Sequence, residues 1–208
     1  MKKQGQSFDY FQGLADGFGV SLNPLTPTFL AARVHTSLSK IPEAIVRGCG
    51  VTSMSFRDMG VSLEYSPNHG LYVDGTVVLN TQLIDDPIVF TSTGEGVLDR
   101  FDHTLYHEFG HGWDEIRGNL SLQDEWLSLS GWSKEAVPGK VRVNIFDKDS
   151  GETLVGEWCY TPGSEFTRPY ARWNPWDDFA DTFAFYVAGL HDFVPKAKGE
   201  YFKKHLEA

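Results

Sequence analysis

His107-Glu108-Phe109-Gly110-His111 places two imidazoles and a carboxylate within five residues, and its reading decides how the rest of the chain is understood. On an α-helix, residues four apart share a face, so His107 and His111 can both reach one metal ion. Glu108, one position on from the first imidazole, projects beside that ion and is free to take a proton from a water that zinc acidifies. The flanking residues support a helix: Leu98, Phe101, Leu105, Phe109, Trp113 and Ile116 recur at steps of three and four. His103, His107 and His111 lie roughly 200° around the axis from that stripe and are expected to face away from the core. Gly110 costs about 1 kcal/mol of helix propensity relative to alanine, which predicts that something packs closely against it. His103 is not expected to be a third ligand with the other two, since it lies about 12 Å along the axis from His111 at 1.5 Å per residue.

A hydrolytic zinc site needs three protein ligands and an open position, so one ligand must come from elsewhere. In Trp173-Asn174-Pro175-Trp176-Asp177-Asp178-Phe179-Ala180-Asp181, Asn174 reads as an N-cap and Pro175 as the first residue of a second helix. Phe179, Phe183, Tyr186, Val187 and Leu190 form its apolar stripe, with Asp177 and Asp181 four apart on the other face above Ala184 and Ala188. Asp177 is the expected third ligand, and Asp181 the acceptor that orients a zinc histidine through its other ring nitrogen. Asp178, offset by about 100°, points elsewhere. Acids in a first helical turn also favour the macrodipole, and one at the third position can close a capping box, so these residues have a structural use as well.

With both stretches in view, the chain resembles the zincin peptidases typified by the anthrax lethal factor catalytic domain and the Pro-Pro endopeptidases. Thr104 to Asp114 is similar to that family's metal helix and Tyr170 to Asp181 to its second motif, and weaker similarity runs from about Ile41 to Leu206. The resemblance implies an α+β zincin-like domain: a small mixed β-sheet, the helix bearing both histidines and a second metal-site helix. It implies one Zn2+ held by His107, His111 and Asp177, with Asp177 and Asp181 standing where the family has glutamates. Both departures keep the charge, and Asp177 is one methylene shorter, which bears on the affinity and geometry of the site. The resemblance also assigns Tyr170 to stabilise the oxyanion or to help protonate the leaving amine. The activity implied is zinc-dependent endopeptidase action on a peptide or protein substrate, with Glu108 as general base. Two other readings are a catalytically silent binding module on the same fold and an effector protease with a single protein target.

Composition fits one domain: 208 residues, 41% hydrophobic, can bury one sizeable core. Residues 1–40, with Gly13, Gly17, Gly19, Pro24 and Pro27, are expected to wrap the 41–208 catalytic domain. The net charge of −10 and the lack of a basic run with interleaved aromatics exclude broad nucleic-acid binding. No apolar run approaches the roughly 20 residues of a membrane span, and no signal-like core follows Met1-Lys2-Lys3-Gln4. The expectation is a cytoplasmic protein, one delivered by a signal-independent route, or a fragment cut from a longer protein. There is no Gly-x-Ser-x-Gly turn, and Cys49 and Cys159 lie in no catalytic context and are expected to be reduced. Oligomeric state is not readable.

Ser39 to Gly48 reads as a short helix, Val51 to Phe56 as a strand, and Leu71 to Val73 with Thr76 to Leu79 as a hairpin across Asp74-Gly75. An unpaired edge of that sheet is suited to align an extended substrate. A second hairpin pairs Val141–Ile145 with Thr153–Trp158 around a turn at 147–152, and Trp126, Trp132, Trp158 and Tyr160 near it either line the cleft or pack the core.

Overall fold

A computed structural model describes residues 9–59, 69–85, 89–90, 96–147 and 152–206. In chain order the elements are α1 (Tyr10–Phe18), β1 (Ser21–Leu22), α2 (Thr28–Leu38), α3 (Glu43–Arg47), β2 (Ser53–Arg57), β3 (Gly70–Val73), β4 (Thr76–Asn80), β5 (Val89–Phe90) and β6 (Gly96–Leu98). Then come α4 (Arg100–Glu115), α5 (Asp124–Ser130), β7 (Trp132–Ser133), β8 (Val141–Asp147), β9 (Glu152–Tyr160), α6 (Pro175–Val187) and α7 (Lys196–Leu206). The class is mixed α+β with a small mixed sheet.

That sheet has the order β1-β2-β4-β3, with β1, β2 and β4 parallel and β3 antiparallel to β4. The β3–β4 turn is the expected two-residue loop: Asp74 (φ 47°) and Gly75 (φ 75°) are both left-handed, which matches the twist of the flanking strands. In the register Met54↔Val77 and Phe56↔Leu79, Met54, Val77 and Leu79 are buried against the helices. A three-stranded sheet β7-β9-β8 forms the second hairpin, whose turn residues 148–151 lie outside the described residues.

Within residues 1–40, positions 9–40 are described. Among them β1 extends the four-stranded sheet, and Leu14, Val20, Leu22, Val34 and Leu38 share one apolar core with α4 and α6. Burying them there removes from water as much apolar surface per side chain as any core position, roughly 1.5–3 kcal/mol for each large side chain. The helix expected over 39–48 is reduced to α3, because Ser39 closes α2 and Pro42 precedes the first helical residue of the next turn.

α4 is the central element. Asp99 caps it, accepting from Asp102 N at 3.1 Å. Its apolar face is as expected at Phe101, Leu105, Phe109 and Trp113, but Leu98 belongs to β6, and Ile116, past the helix end, is 52% exposed. The histidine face is a larger correction: His103 and His107 are buried, because α6 covers that side of the helix. Gly110 explains how the two axes come close. A Cβ there would lie 3.0 Å from Ala180 Cα and 3.2 Å from Phe183 Cβ, so the expected close packing is the crossing of α6. Around the crossing, Trp113 packs on Phe179, Phe183 and Phe202, and Trp126 on Phe179 and Tyr201.

Trp126 is therefore core, while Trp132 and Trp158 form a second apolar cluster with Val143, Phe166 and Ala171. Packing, not cleft lining, is the use made of these aromatics. Both cysteines are buried free thiols. No helix among the described residues is long and apolar enough to cross a membrane.

Candidate metal centre

The start of α6 is set locally by Asn174, whose Oδ1 accepts from Asp177 N at 2.8 Å, and by Pro175, whose missing N–H costs nothing in the first turn. Asn174 Nδ2 also donates to Asp177 Oδ2 at 2.6 Å, so the cap and the carboxylate hold one another. The capping use of Asp177 and its ligand use thus coexist: Oδ2 is held by the cap, and Oδ1 faces the α4 histidines.

There the structure brings three ligand atoms together. His107 Nε2 and His111 Nε2 are 3.0 Å apart, and Asp177 Oδ1 lies 3.5 Å from the first and 3.6 Å from the second. Four-coordinate zinc with bonds of about 2.0–2.2 Å places ligand atoms roughly 3.3–3.6 Å apart; both distances from Asp177 Oδ1 match, and the two imidazole nitrogens need to part by only about 0.3 Å to admit the ion. A proton can bridge only one of the three pairs at a time; a cation among them serves all three. Asp177 reaches the histidines because Gly110 lets α6 approach.

Asp181 lies behind His107. It is fully buried, its Oδ1 accepts from His107 Nδ1 at 2.9 Å and its Oδ2 from Arg168 Nε at 2.7 Å. The Nδ1 proton is therefore held by Asp181, and Nε2 faces the centre, where a bound cation would displace its proton. His103 Nε2 is 3.0 Å from the same Oδ1 but makes no hydrogen bond there. His103, His107 and Asp181 form a buried group that could hold a metal ion, as do His107, His111 and Asp177, with ligand atoms within 4.8 Å of one another in each. The second group opens onto the cleft, and His107 Nδ1 is already committed to Asp181, so the cleft-facing triangle is the better site.

Electrostatics favour a cation here. Burial opposes charge on His107, yet its bonds to Asp177 and Asp181 prevail and push the imidazole up to about 10. Burial likewise opposes charge on Asp177, and the two histidines nevertheless hold its carboxyl well below the usual range. Asp181 is also held well below it, with Arg168 the largest influence against burial. His103 is lowered to about 4 by burial and by Arg168, despite Asp181, and is neutral near pH 7. An imidazole drawn toward positive charge by two carboxylates marks a place where a metal ion satisfies the same field.

The centre lies in a cleft of about 510 Å³. His107, Glu108 and His111 form its floor, Gly70, Leu71 and Tyr72 of β3 one wall, and Tyr170, Trp176 and Asp177 the other. Glu108 is 6% exposed, and burial raises its carboxyl above the ordinary value against the pull of His107 and His111. β3 passes directly over it: a Cβ on Gly70 would lie 2.5 Å from Glu108 Oε1 and 2.8 Å from Thr104 Cγ2. Tyr170, on a 3-10 turn at Pro169–Arg172, has its ring 5.9 Å from that of His107. Burial and then Asp177 push its phenol up, so it remains protonated and able to donate. Asp178 takes no part; it pairs with Lys198 elsewhere.

Several residues of the cleft and of its support were not legible as such. Trp176 is a wall residue braced edge-on by Trp158 at 5.7 Å, Tyr72 carries a phenol raised to about 12 by burial and by Glu115, and Arg168 reaches Asp181 from thirteen residues away. Asn174 alone had a usable signal, since a cap three residues before an acid is the capping-box spacing. No protein-family model matches the chain, and no curated protein does.

Proposed function

We propose that the chain is a zinc-dependent endopeptidase of the zincin type, akin to the lethal factor and Pro-Pro endopeptidase group. The observation that carries the reading is the triangle of His107 Nε2, His111 Nε2 and Asp177 Oδ1, closed to within 3.0–3.6 Å at the floor of an open cleft beside a buried glutamate. His107, His111 and Asp177 would hold the ion, which supplies Lewis acidity toward the scissile carbonyl and lowers the pKa of water toward neutrality.

The remaining work belongs to the chain. Glu108 takes a proton from the attacking water as its oxygen bonds to the carbonyl carbon, then delivers that proton to the departing nitrogen as the C–N bond breaks. Its raised carboxyl pKa makes it a stronger base than a solvated glutamate. Tyr170 donates a hydrogen bond where negative charge develops on the carbonyl oxygen. Asp181 keeps the proton of His107 on Nδ1 throughout.

Purified protein should contain close to one zinc per chain and cleave members of a random peptide library, whereas Asp177→Ala should lose at least about tenfold in zinc affinity, because partners one step further out already cost 10–100-fold. A wild type that takes up no zinc, or an Asp177→Ala variant that binds it normally, overturns the assignment.

β3 borders the cleft and pairs only with β4 among the described residues, with Leu71 and Val73 half exposed. In this reading an extended substrate adds to that edge through main-chain hydrogen bonds, and its side chains set specificity. A crystal soaked with a cleaved sequence should show the peptide antiparallel or parallel to Gly70–Val73; a peptide bound away from β3 refutes the arrangement.

A further inference from the structure

Arg168 lies outside the ligand triangle, yet two of the groups that act on it meet at its guanidinium. Its Nε donates to Asp181 Oδ2 at 2.7 Å, and its Cζ lies 4.9 Å from the centroid of the Tyr170 ring. The backbone that carries it is pinned to α6 by the Thr167 and Thr182 hydroxyls, 3.2 Å apart and buried. Asp181 is 0% exposed, and its other oxygen accepts from His107 Nδ1 and lies 3.0 Å from His103 Nε2. Arg168 is the lysine or arginine paired with this carboxylate among the described residues.

We propose that Arg168 is a positioning residue for the centre, fixing the Asp181 carboxylate that orients His107 while its guanidinium lies over the ring of Tyr170. The assignment deepens the peptidase reading and rests on it for its catalytic consequence. With Oδ2 anchored by Arg168, the Asp181 carboxylate cannot turn about its χ2 axis, so Oδ1 stays on His107 Nδ1. The same guanidinium lies over the ring of Tyr170, which is also stacked with the ring of Trp173 at 5.2 Å. A lysine can satisfy the carboxylate but presents no plane to the phenol ring, so Arg168→Lys separates the two duties.

The test compares wild type, Arg168→Lys and Arg168→Met in three measurements. The first is the imidazole N–H resonance of His107 in the metal-free protein by 15N-edited NMR. The second is zinc affinity by competition with a chromophoric chelator, and the third is kcat and KM on a cleaved peptide. Arg168→Met should lose the hydrogen-bonded Nδ1–H signal, bind zinc about 10–100-fold more weakly and lose kcat by a similar factor, with KM within about threefold. Arg168→Lys should restore the resonance and the zinc affinity but only part of kcat. A merely structural arginine would lower thermal stability and leave these readouts unchanged. The proposal is overturned if Arg168→Met keeps the resonance and binds zinc within about twofold of wild type. Should the methionine variant fail to fold, a lysine variant with wild-type kcat overturns the role toward Tyr170. If the wild type binds no zinc, the peptidase reading fails, and the imidazole resonance by itself decides whether Arg168 orients His107.

Discussion

Glu108→Ala is expected to retain zinc within a few-fold of wild-type affinity and to lose peptide hydrolysis by about 10²–10⁴-fold, the range a positioned general base contributes. The separation follows from geometry. The three atoms that close on one another belong to His107, His111 and Asp177, and Glu108 is beside them on the cleft floor under Gly70. Removing its carboxylate leaves that triangle intact. Stability should not fall, because keeping a carboxylate buried costs free energy that alanine does not incur, a usual conflict at groups placed for chemistry. Glu108→Gln is the stricter variant, as it fills the same space under Gly70 without accepting a proton. Zinc content by mass spectrometry and single-turnover cleavage, run on both variants, check the expectation. Hydrolysis at wild-type rates by either one would remove Glu108 from the mechanism.

Asp178→Ala is expected to destabilise the fold by about 3–5 kcal/mol while leaving zinc affinity nearly unchanged. Sequence periodicity turns Asp178 away from the metal, which suggests a residue of little consequence, but its surroundings give it a large structural role. Its Oδ1 is 2.5 Å from Lys198 Nζ, its Oδ2 accepts from Trp132 Nε1 at 3.0 Å, and both charged side chains are at most 2% exposed. Lys198 also lies over the rings of Phe166 and Trp126, at 4.6 and 5.4 Å. Truncating the aspartate strands an ammonium group in that apolar enclosure and leaves the indole N–H unpaired. For a chain of this size the loss corresponds to a fall of roughly 6–20 °C in thermal midpoint. Asp178→Leu combined with Lys198→Met should recover most of it, since replacing both partners leaves no buried charge. A single variant as stable as wild type would show that Lys198 finds water, and a variant that folds but loses zinc would tie Asp178 to the centre after all.

The two variants mark how far local sequence reasoning reaches. His107 and His111 meet because a helix returns to the same face every four residues, and Asn174-Pro175 starts the second helix by satisfying or omitting donors of its first turn. The Asp74-Gly75 hairpin is equally local, being a matter of two left-handed residues. Each of these depends on interactions spanning at most a few residues, so pattern and spacing suffice. Where the pattern misleads, the reason is a distant neighbour. The histidine face of α4 is buried because α6 crosses at Gly110, and the tryptophans of the second hairpin turn into a separate apolar cluster.

The sequence by itself determined which helices carry the imidazoles and carboxylates, which way each residue faces on its own helix, and that Asp177 and Asp181 share a face while Asp178 does not. Only the tertiary structure decided that Asp177 Oδ1 closes on both histidines, that Gly70 passes over Glu108, and that Arg168 braces Asp181 beside Tyr170. Helical facing is set by a period of 3.6 residues, whereas the distance between two faces is set by the packing of every side chain between them. Here Gly110 against Ala180, with no side chain interposed, brings the two helices close enough for Asp177 Oδ1 to come within 3.5 and 3.6 Å of the two histidines.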